Sequence, residues 1–145
     1  MTPSLFVDSW GWLTLANEKE EFFKTAGLFY ENEVQSGTKI VTTDYILDEV
    51  CTFLFAKAPA VLAVKYLTQL WSSCERGFIH LERIGADRFE RTWKMRLKYR
   101  DHIGVSFTDF TSFIVMQDLG IHRVLTNDRH FEEVNLGFQR VPANF

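Results

Sequence analysis

The stretch Ser4-Leu-Phe-Val-Asp8-Ser9, close to the start of the chain, carries the first signal for the fold. Its three consecutive apolar residues are typical of a short strand that is buried on both faces. Asp8 is the first polar residue after this apolar run, and Ser9 follows at the start of a helical pattern. The sequence therefore predicts that a carboxylate lies at the carboxyl end of a buried strand.

A similar stretch, Val124-Leu-Thr-Asn-Asp128, lies near the other end of the chain. Asp128 again comes just after an apolar strand pattern. Each aspartate on its own is explained equally well as a helix or turn cap, because aspartate is a preferred acceptor at such positions. Their occurrence after two separate strands favours a shared site at one edge of a sheet.

Short apolar or β-rich runs alternate with segments of helical periodicity along the chain, which predicts an α/β fold. Strands are predicted at residues 4–8, 39–43, 78–84, 123–126 and 138–141, and helices at 10–16, 19–33, 44–56, 60–75, 86–99 and 106–119. This alternation favours a central, mostly parallel sheet of about five strands flanked by helices, with ligands bound outside the carboxyl ends of the strands. No internal repeat or flexible linker divides the sequence, so residues 1–145 are predicted to form a single domain.

The composition indicates a folded globular protein, since 46% of the residues are hydrophobic and 24% are charged. A net charge of −3 argues against a protein that coats nucleic acid through an overall basic surface. Cys51 and Cys74 lie in helical segments without metal-type or disulfide-type spacing, which predicts reduced interior thiols in a cytosolic protein. We expect neither a secretory signal nor a membrane span, and therefore a cytoplasmic location.

The average charge hides a basic segment, because six of the 16 Lys and Arg residues lie between Arg88 and Arg100. Three cations in this segment recur at helical spacing beside an apolar stripe. The cations are Arg91, Lys94 and Lys98, and the stripe consists of Phe89, Trp93 and Leu97. Two interpretations stay open: an amphipathic helix with a solvated basic face, or a surface that contacts RNA phosphates.

Two adjacent acids, Asp48 and Glu49, lie in the helix predicted after the second strand. At about 100° per residue, Ile46, Val50 and their apolar neighbours form one stripe of this helix. Glu49 borders the stripe, whereas Asp48 points almost directly away from it. Glu49 is therefore the candidate for an interior site, and Asp48 is interpreted as a solvated surface charge.

The stretch Ser106-Phe-Thr-Asp109 matches a capping box, with Ser106 as the N-cap and Asp109 three residues later. A purely structural role is a strong alternative for Asp109. Capping would still leave this carboxylate in the first helical turn, where the helix dipole favours negative charge and where it can face the sheet edge. Capping and membership of a site are therefore compatible.

Four carboxylates that converge on one cavity repel one another unless a cation compensates their charge. Oxygen ligands select hard ions such as Mg²⁺ or Mn²⁺ over zinc. Such an ion can polarise a phosphodiester, help to produce a hydroxide nucleophile and stabilise the leaving oxygen. The acidic residues Asp8, Glu49, Asp109 and Asp128 therefore predict metal-dependent hydrolysis of phosphodiester bonds.

The order and context of these residues resemble the PIN-domain family, and in particular its VapC-type toxins of bacterial and archaeal toxin–antitoxin pairs. Four blocks carry the resemblance and span nearly the whole chain. They are Phe-Val-Asp8-Ser, Thr-Thr-Asp-Tyr-Ile-Leu-Asp-Glu49, Ser106-Phe-Thr-Asp109 and Leu-Thr-Asn-Asp128-Arg-His-Phe. Each block is weak alone, but their order and their strand or helix context are fairly specific together.

The resemblance implies a PIN-like α/β fold, which is of the RNase H/5′-nuclease type, and a catalytic and metal-binding set of Asp8, Glu49, Asp109 and Asp128. It also implies Mg²⁺ or Mn²⁺ dependence, endonucleolytic cleavage of RNA, a homodimer and a cognate antitoxin. Asp8 and Asp109 are expected to make the most direct metal contacts. Glu49 is assigned to binding through water or to proton transfer, and Asp128 to completing the cluster or a second ion site.

Alternatives to this function stay open, as do roles for several neighbouring residues. The alternative functions are an RNA-processing or DNA-directed metal-dependent nuclease and a catalytically inactive PIN-like binding module. Thr126 and Ser9 are candidates to orient a carboxylate, against ordinary turn or N-cap roles. Arg129 and His130 are candidates for contact with an RNA phosphate, but a lone histidine is a poor basis for assigning general-base chemistry, and both are left out of the catalytic set.

Overall fold

The chain, described over residues 2–143 of a computed structural model, alternates short strands with helices. The strands are β1 (Ser4–Val7), β2 (Lys39–Thr43), β3 (Ile79–Glu82), β4 (Arg123–Leu125) and β5 (Gln139–Val141). The helices are α1 (Ser9–Ala16), α2 (Phe23–Gln35), α3 (Asp44–Lys57), α4 (Ala60–Glu75), α5 (Gly85–Lys98), α6 (Phe107–Leu119) and α7 (His130–Glu133).

The strands form one sheet in the order β3-β2-β1-β4-β5, in which every neighbouring pair is parallel. This confirms the predicted α/β fold with its central parallel sheet. The chain proceeds from β1 towards β3 on one side and then returns to add β4 and β5 on the other side. The strand order thus reverses between β1 and β4, where ligands bind in open α/β sheets. Val7 lies opposite Leu125 at this point, so the residues that follow both strands emerge side by side.

The core lies on both faces of the sheet and includes one helix that is buried along most of its length. Leu5, Phe6 and Val7 are fully buried in β1, as their unbroken apolar run predicted. Residues 110–116 of α6 are all buried. The Phe113 ring packs edge-on against Phe131 of α7 at 5.0 Å between ring centroids. This packing connects α6, whose first turn contains Asp109, to α7, which begins two residues after Asp128.

The helix predicted to begin at Lys19 begins four residues later, at Phe23. The side chain of Asn17 accepts a hydrogen bond from the Lys19 backbone N–H, and Glu20 donates to the Asn17 carbonyl. These bonds make turns where the sequence pattern predicted helix, because asparagine side chains compete with helical backbone bonding. The other predicted helices and strands are found with ends that differ by at most two residues, but the short helix α7 was not predicted.

The apolar stripe of α5 is not part of the core, contrary to the usual packing of an amphipathic helix. Phe89, Trp93 and Leu97 are each about half exposed, and Thr92 is the buried residue of this helix. The cysteine prediction is also wrong in part. Both thiols are free, but Cys51 lies on the exposed side of α3 and Cys74 is only half-buried. None of the described helices has the length and apolar character that crossing a lipid bilayer requires.

Gly11 allows α1 to pack closely over the point where β1 and β4 meet. A Cβ atom at this position would lie 2.8 Å from both the Leu125 carbonyl oxygen and Val7 Cγ1. We expect Gly11→Ala to lower the free energy of unfolding by about 1–3 kcal/mol, because the backbone of β4 cannot move aside without disturbing the sheet. Urea denaturation measures this change.

Gly27→Ala in α2 is the matched control, since no atom lies within 4 Å of the added methyl group. Alanine lowers the entropic cost of a helical position, so this variant should be neutral or more stable by up to about 1 kcal/mol. An equal loss of stability in both variants would contradict the close approach of α1 to the sheet.

Candidate active site

Asp8 lies directly after β1, and its carboxylate turns towards the end of β4. The side chain is only 5% exposed and makes no capping hydrogen bond to α1, although Asp8 occupies the N-cap position. Instead, Thr126 Oγ1 donates a hydrogen bond to Asp8 Oδ2 at 2.9 Å. The interpretation of Asp8 as a side-chain cap is therefore wrong, because its carboxylate accepts a hydrogen bond from the residue that follows β4 and none from the capped turn of α1.

The pKa of Asp8 is raised to about 7, first because burial disfavours the charged carboxylate and then because Asp109 is negatively charged nearby. The hydrogen bond from Thr126 opposes this rise, and the charge of Asp128 adds to it. Asp8 thus experiences the charges of two other predicted site residues. Its buried carboxylate is a group that a cation would stabilise.

Asp109 lies in the first turn of α6 and takes part in the predicted capping box. Its backbone N–H donates to Ser106 Oγ at 3.0 Å, and the Ser106 N–H donates to Asp109 Oδ2 at 3.1 Å. The pKa of Asp109 is raised to about 6, first by burial and then by the charges of Asp128 and Glu49, and these hydrogen bonds oppose the rise. The capping box is confirmed, and the same carboxylate faces the other acids.

Asp128 lies three residues after β4 and forms the turn into α7. Its backbone N–H donates to Thr126 Oγ1 at 3.1 Å, and its Oδ1 accepts from the His130 N–H at 2.9 Å. The alternative interpretation as a turn-forming residue is thus correct for Asp128. One hydroxyl group, that of Thr126, bonds to both strand-end aspartates and holds them at a fixed separation.

Glu49 approaches the same edge from α3. It is half-buried, whereas its neighbour Asp48 is exposed, as the helical periodicity predicted. Ser9 Oγ donates to Glu49 Oε1 at 2.6 Å, which joins the start of α1 to α3 across 40 residues of sequence. Ser9 therefore orients a carboxylate rather than serving only as a helix-start residue.

His130 is a member of the site that sequence reasoning left out. One ligand atom from each of Asp109, Asp128 and His130 lies within 4.8 Å of the others. His130 Nδ1 is 3.0 Å from Asp128 Oδ1. The sequence signal for this contact is the Asp128-Arg-His130 spacing. The side chains of Asp128 and His130 meet because the chain turns into α7 at this point.

A divalent metal ion fits this collection of side chains by its chemistry. Burial and mutual repulsion raise the pKa values of Asp8 and Asp109, and a bound cation would relieve both effects. The donors are carboxylate oxygens with one imidazole, a set that suits Mg²⁺ or Mn²⁺ better than the thiolate-rich sites of structural zinc.

The basic segment of α5 is partly paired with acids, whereas Lys94 and Lys98 are exposed, as the interpretation as a solvated face predicted. Arg91 bonds Asp118 of α6 through two nitrogen atoms at 2.8 Å, and Arg88 bonds the same carboxylate at 3.1 Å. Lys94 lies 3.5 Å from Glu90. These ion pairs join α5 to α6, so Arg91 has a structural role in the described part of the chain.

Thr126 offers a test of the geometry at the sheet edge. We expect Thr126→Val to weaken binding of Mn²⁺ by about 10- to 100-fold, as is typical when a group that orients a metal ligand is removed. The cause would be loss of the bond that holds Asp8 and loss of the acceptor for the Asp128 N–H. Calorimetric titration of the metal-free protein with Mn²⁺ measures the affinity.

Thr92→Val is the matched control, because Thr92 is also buried but bonds only to the Arg88 carbonyl of its own helix. Its Mn²⁺ affinity should stay within about twofold of that of the unchanged protein. Similar affinities for the two variants would show that Thr126 does not orient the acidic site.

Comparisons with known proteins agree on one relative. The chain is 26% identical over 132 residues to the 23S rRNA-specific endonuclease VapC20 of Mycobacterium tuberculosis, covering 88% of this chain and 91% of VapC20. The crystal structure of VapC20, described as a sarcin–ricin loop cleaving toxin, matches 90% of this chain and 95% of its own with a TM-score of 0.77.

A second solved structure, PAE2754 from Pyrobaculum aerophilum, has the same fold at 15% identity, with a TM-score of 0.63 over 97% of this chain and 91% of its own. No family model matches the sequence. The parallel sheet with its acidic edge is thus found in a chain that is similar to VapC20 in both sequence and structure.

Proposed function

We propose that this chain is a metal-dependent endoribonuclease and the toxin of a type II toxin–antitoxin pair. The observation that carries the proposal is the group of carboxylates at the carboxyl edge of β1 and β4, in a chain that matches the endonuclease VapC20 over most of its length. Residues 1–145 would act as one PIN-like domain. We also propose a cytoplasmic location, because that is where a toxin of this type would meet its RNA substrate.

Asp8, Glu49, Asp109 and Asp128 are the proposed catalytic and metal-binding residues. A bound Mg²⁺ or Mn²⁺ supplies charge neutralisation at the phosphodiester and activation of the attacking water. Asp8 and Asp109, the two carboxylates with the raised pKa values, would make the most direct contacts. Asp128 completes the set from the turn before α7. Ser9 holds Glu49 where it can bind through water or accept a proton.

The experiment that tests this function uses purified protein and an RNA oligonucleotide with the sequence of the 23S rRNA sarcin–ricin loop. Reactions contain Mg²⁺, Mn²⁺ or EDTA, and parallel reactions contain single-stranded DNA of the same sequence. We expect internal RNA fragments in the presence of either metal and none with EDTA. Cleavage of DNA instead would favour a DNA-directed nuclease, and no cleavage of any substrate would favour an inactive binding module.

Partner proteins are proposed from the exposed apolar surface of α3 and α4. Phe53 and Phe55 of α3 are 47% and 52% exposed, and Val61 and Leu62 of α4 are more exposed still. Contiguous apolar surface often marks a protein interface, and these four side chains belong to two helices that pack against each other. We propose that this chain binds a cognate antitoxin and a second copy of itself in a homodimer. Light scattering distinguishes a homodimer from a monomer of 17.0 kDa.

A further inference from the structure

His130 lies beside the acids with one edge of its ring facing them. Its Nδ1 is 3.0 Å from Asp128 Oδ1. A Cβ atom at Gly104 would lie 3.8 Å from both Cε1 and Nε2, so the opposite edge of the ring faces the loop before α6. The half-buried ring thus presents one particular nitrogen to the acidic group.

A backbone hydrogen bond already orients Asp128, so its contact with His130 Nδ1 is a second interaction with the same residue. The His130 backbone N–H already donates to Asp128 Oδ1 at 2.9 Å, so the carboxylate is oriented without help from the ring. An imidazole whose only task was to hold Asp128 would duplicate that bond. One ring nitrogen of His130 and one carboxylate oxygen from each of Asp109 and Asp128 lie within 4.8 Å of one another, where a bound cation would replace direct contacts among these side chains.

The spacing of these atoms suits ligands on one metal ion. Two ligands at right angles, each with a metal bond of about 2.1 Å, are about 3 Å apart. The distance from Nδ1 to Asp128 Oδ1 is 3.0 Å, and one ligand atom from each of Asp109, Asp128 and His130 lies within 4.8 Å of the other two. This limit is close to the roughly 4.2 Å between ligands on opposite sides of such an ion.

We infer that His130 supplies an imidazole nitrogen to the ion that Asp109 and Asp128 bind, and that this nitrogen makes the site prefer Mn²⁺ over Mg²⁺. The inference rests on the proposed metal site and adds a ligand to the four carboxylates. Mg²⁺ prefers oxygen ligands and gives up its waters reluctantly, whereas Mn²⁺ is a softer transition-metal ion that accepts a nitrogen ligand more readily. Replacing one oxygen ligand by an imidazole nitrogen therefore favours Mn²⁺ over Mg²⁺.

Pulsed electron paramagnetic resonance of bound Mn²⁺ tests the ligand directly, without any measurement of cleavage. We expect a ¹⁴N coupling from a directly bound imidazole in the unchanged protein and its loss in His130→Ala. His122→Ala is the control, because His122 is exposed and precedes β4 at the opposite end of that strand. The coupling should remain in this variant.

Calorimetric titrations with Mn²⁺ and with Mg²⁺ test the selectivity. We expect His130→Ala to weaken Mn²⁺ binding by about 10- to 100-fold and Mg²⁺ binding by less, which lowers the ratio of the two affinities. His130→Asn, which places an amide oxygen near the position of Nδ1, should bind Mg²⁺ as well as the unchanged protein does and lose the preference for Mn²⁺.

The outcomes separate this inference from the proposed function. Mn²⁺ bound to the unchanged protein without ¹⁴N coupling would overturn the role of His130 and leave a metal site made of carboxylates. An unchanged affinity ratio in His130→Ala would have the same meaning. If the unchanged protein binds neither ion, both the inference and the proposed metal dependence are wrong.

Discussion

Replacing Asp109 by asparagine should lower the rate of metal-dependent RNA cleavage at least about a hundredfold. The change preserves the shape of the side chain but removes a negative charge from the carboxylates that we propose as metal ligands. A metal ion contributes several kcal/mol to stabilisation of the transition state, and each 1.36 kcal/mol corresponds to a factor of ten in rate. Cleavage of a labelled RNA at fixed Mn²⁺ concentration measures the loss as a change in kcat/KM.

Asp48→Asn is the matched control for this prediction, since it makes the same chemical change at an exposed position beside Glu49. Its cleavage rate should equal that of the unchanged protein. Circular dichroism and thermal unfolding establish that Asp109→Asn still folds, because Asp109 also belongs to the capping box of α6. Equal cleavage by folded Asp109→Asn and by Asp48→Asn would defeat the assignment of Asp109 to the metal.

Replacing Asp8 by asparagine should make the metal-free protein more stable at neutral and alkaline pH. The folded state raises the pKa of Asp8 from 3.8 to about 7, so between these values the folded state binds more protons than the unfolded chain. The free energy of unfolding therefore falls as the pH rises through this range. From pH 5 to pH 8 the fall due to Asp8 is roughly 2–3 kcal/mol, because a tenfold change in proton affinity corresponds to 1.36 kcal/mol.

Asp109 should contribute to the same pH dependence in the same direction, because its pKa is raised to about 6. Urea denaturation in EDTA at several pH values measures the dependence. We expect a shallower slope for Asp8→Asn and an unaltered slope for Asp48→Asn. Saturating Mn²⁺ should also reduce the fall in stability of the unchanged protein, because the ion binds the folded state with its carboxylates charged. If the stability of Asp8→Asn depends on pH as strongly as that of the unchanged protein, the burial of a charged carboxylate at this position is contradicted.

The buried carboxylates of Asp8 and Asp109 should lower the stability of the metal-free protein, although the proposed activity needs them. Asp8 is buried, and a neutral side chain at this position would cost less desolvation free energy than a charged one. A cation bound beside Asp8 would stabilise its charged form. One variant, Asp8→Asn, should therefore be more stable without metal and respond less to added metal. A purely structural role for Asp8 predicts the opposite sign, because loss of a favourable carboxylate would then destabilise the protein.

The sequence alone was sufficient for the strands of the sheet and for the acids that follow them. Leu5, Phe6 and Val7 are buried because an apolar run of this length suits a central parallel strand, and that pattern is local. The separation of Asp48 from Glu49 was equally local, because helical geometry alone places adjacent residues about 100° apart. The capping box of Ser106 and Asp109 depends on three residues of sequence and was also predictable.

Only the tertiary structure decided how these local features combine into a site. Thr126 bonds to Asp8 across 118 residues, and Ser9 bonds to Glu49 across 40 residues, distances at which no periodicity carries information. The same limit explains why His130 was left out, since its ring meets Asp109 only when α6 and α7 pack together through Phe113 and Phe131. The local sequence determines that a carboxylate follows Leu5-Phe6-Val7 and that another follows Val124-Leu125. The order of strands in the sheet determines that these carboxylates meet, because β1 and β4 become neighbours only when the whole chain has folded.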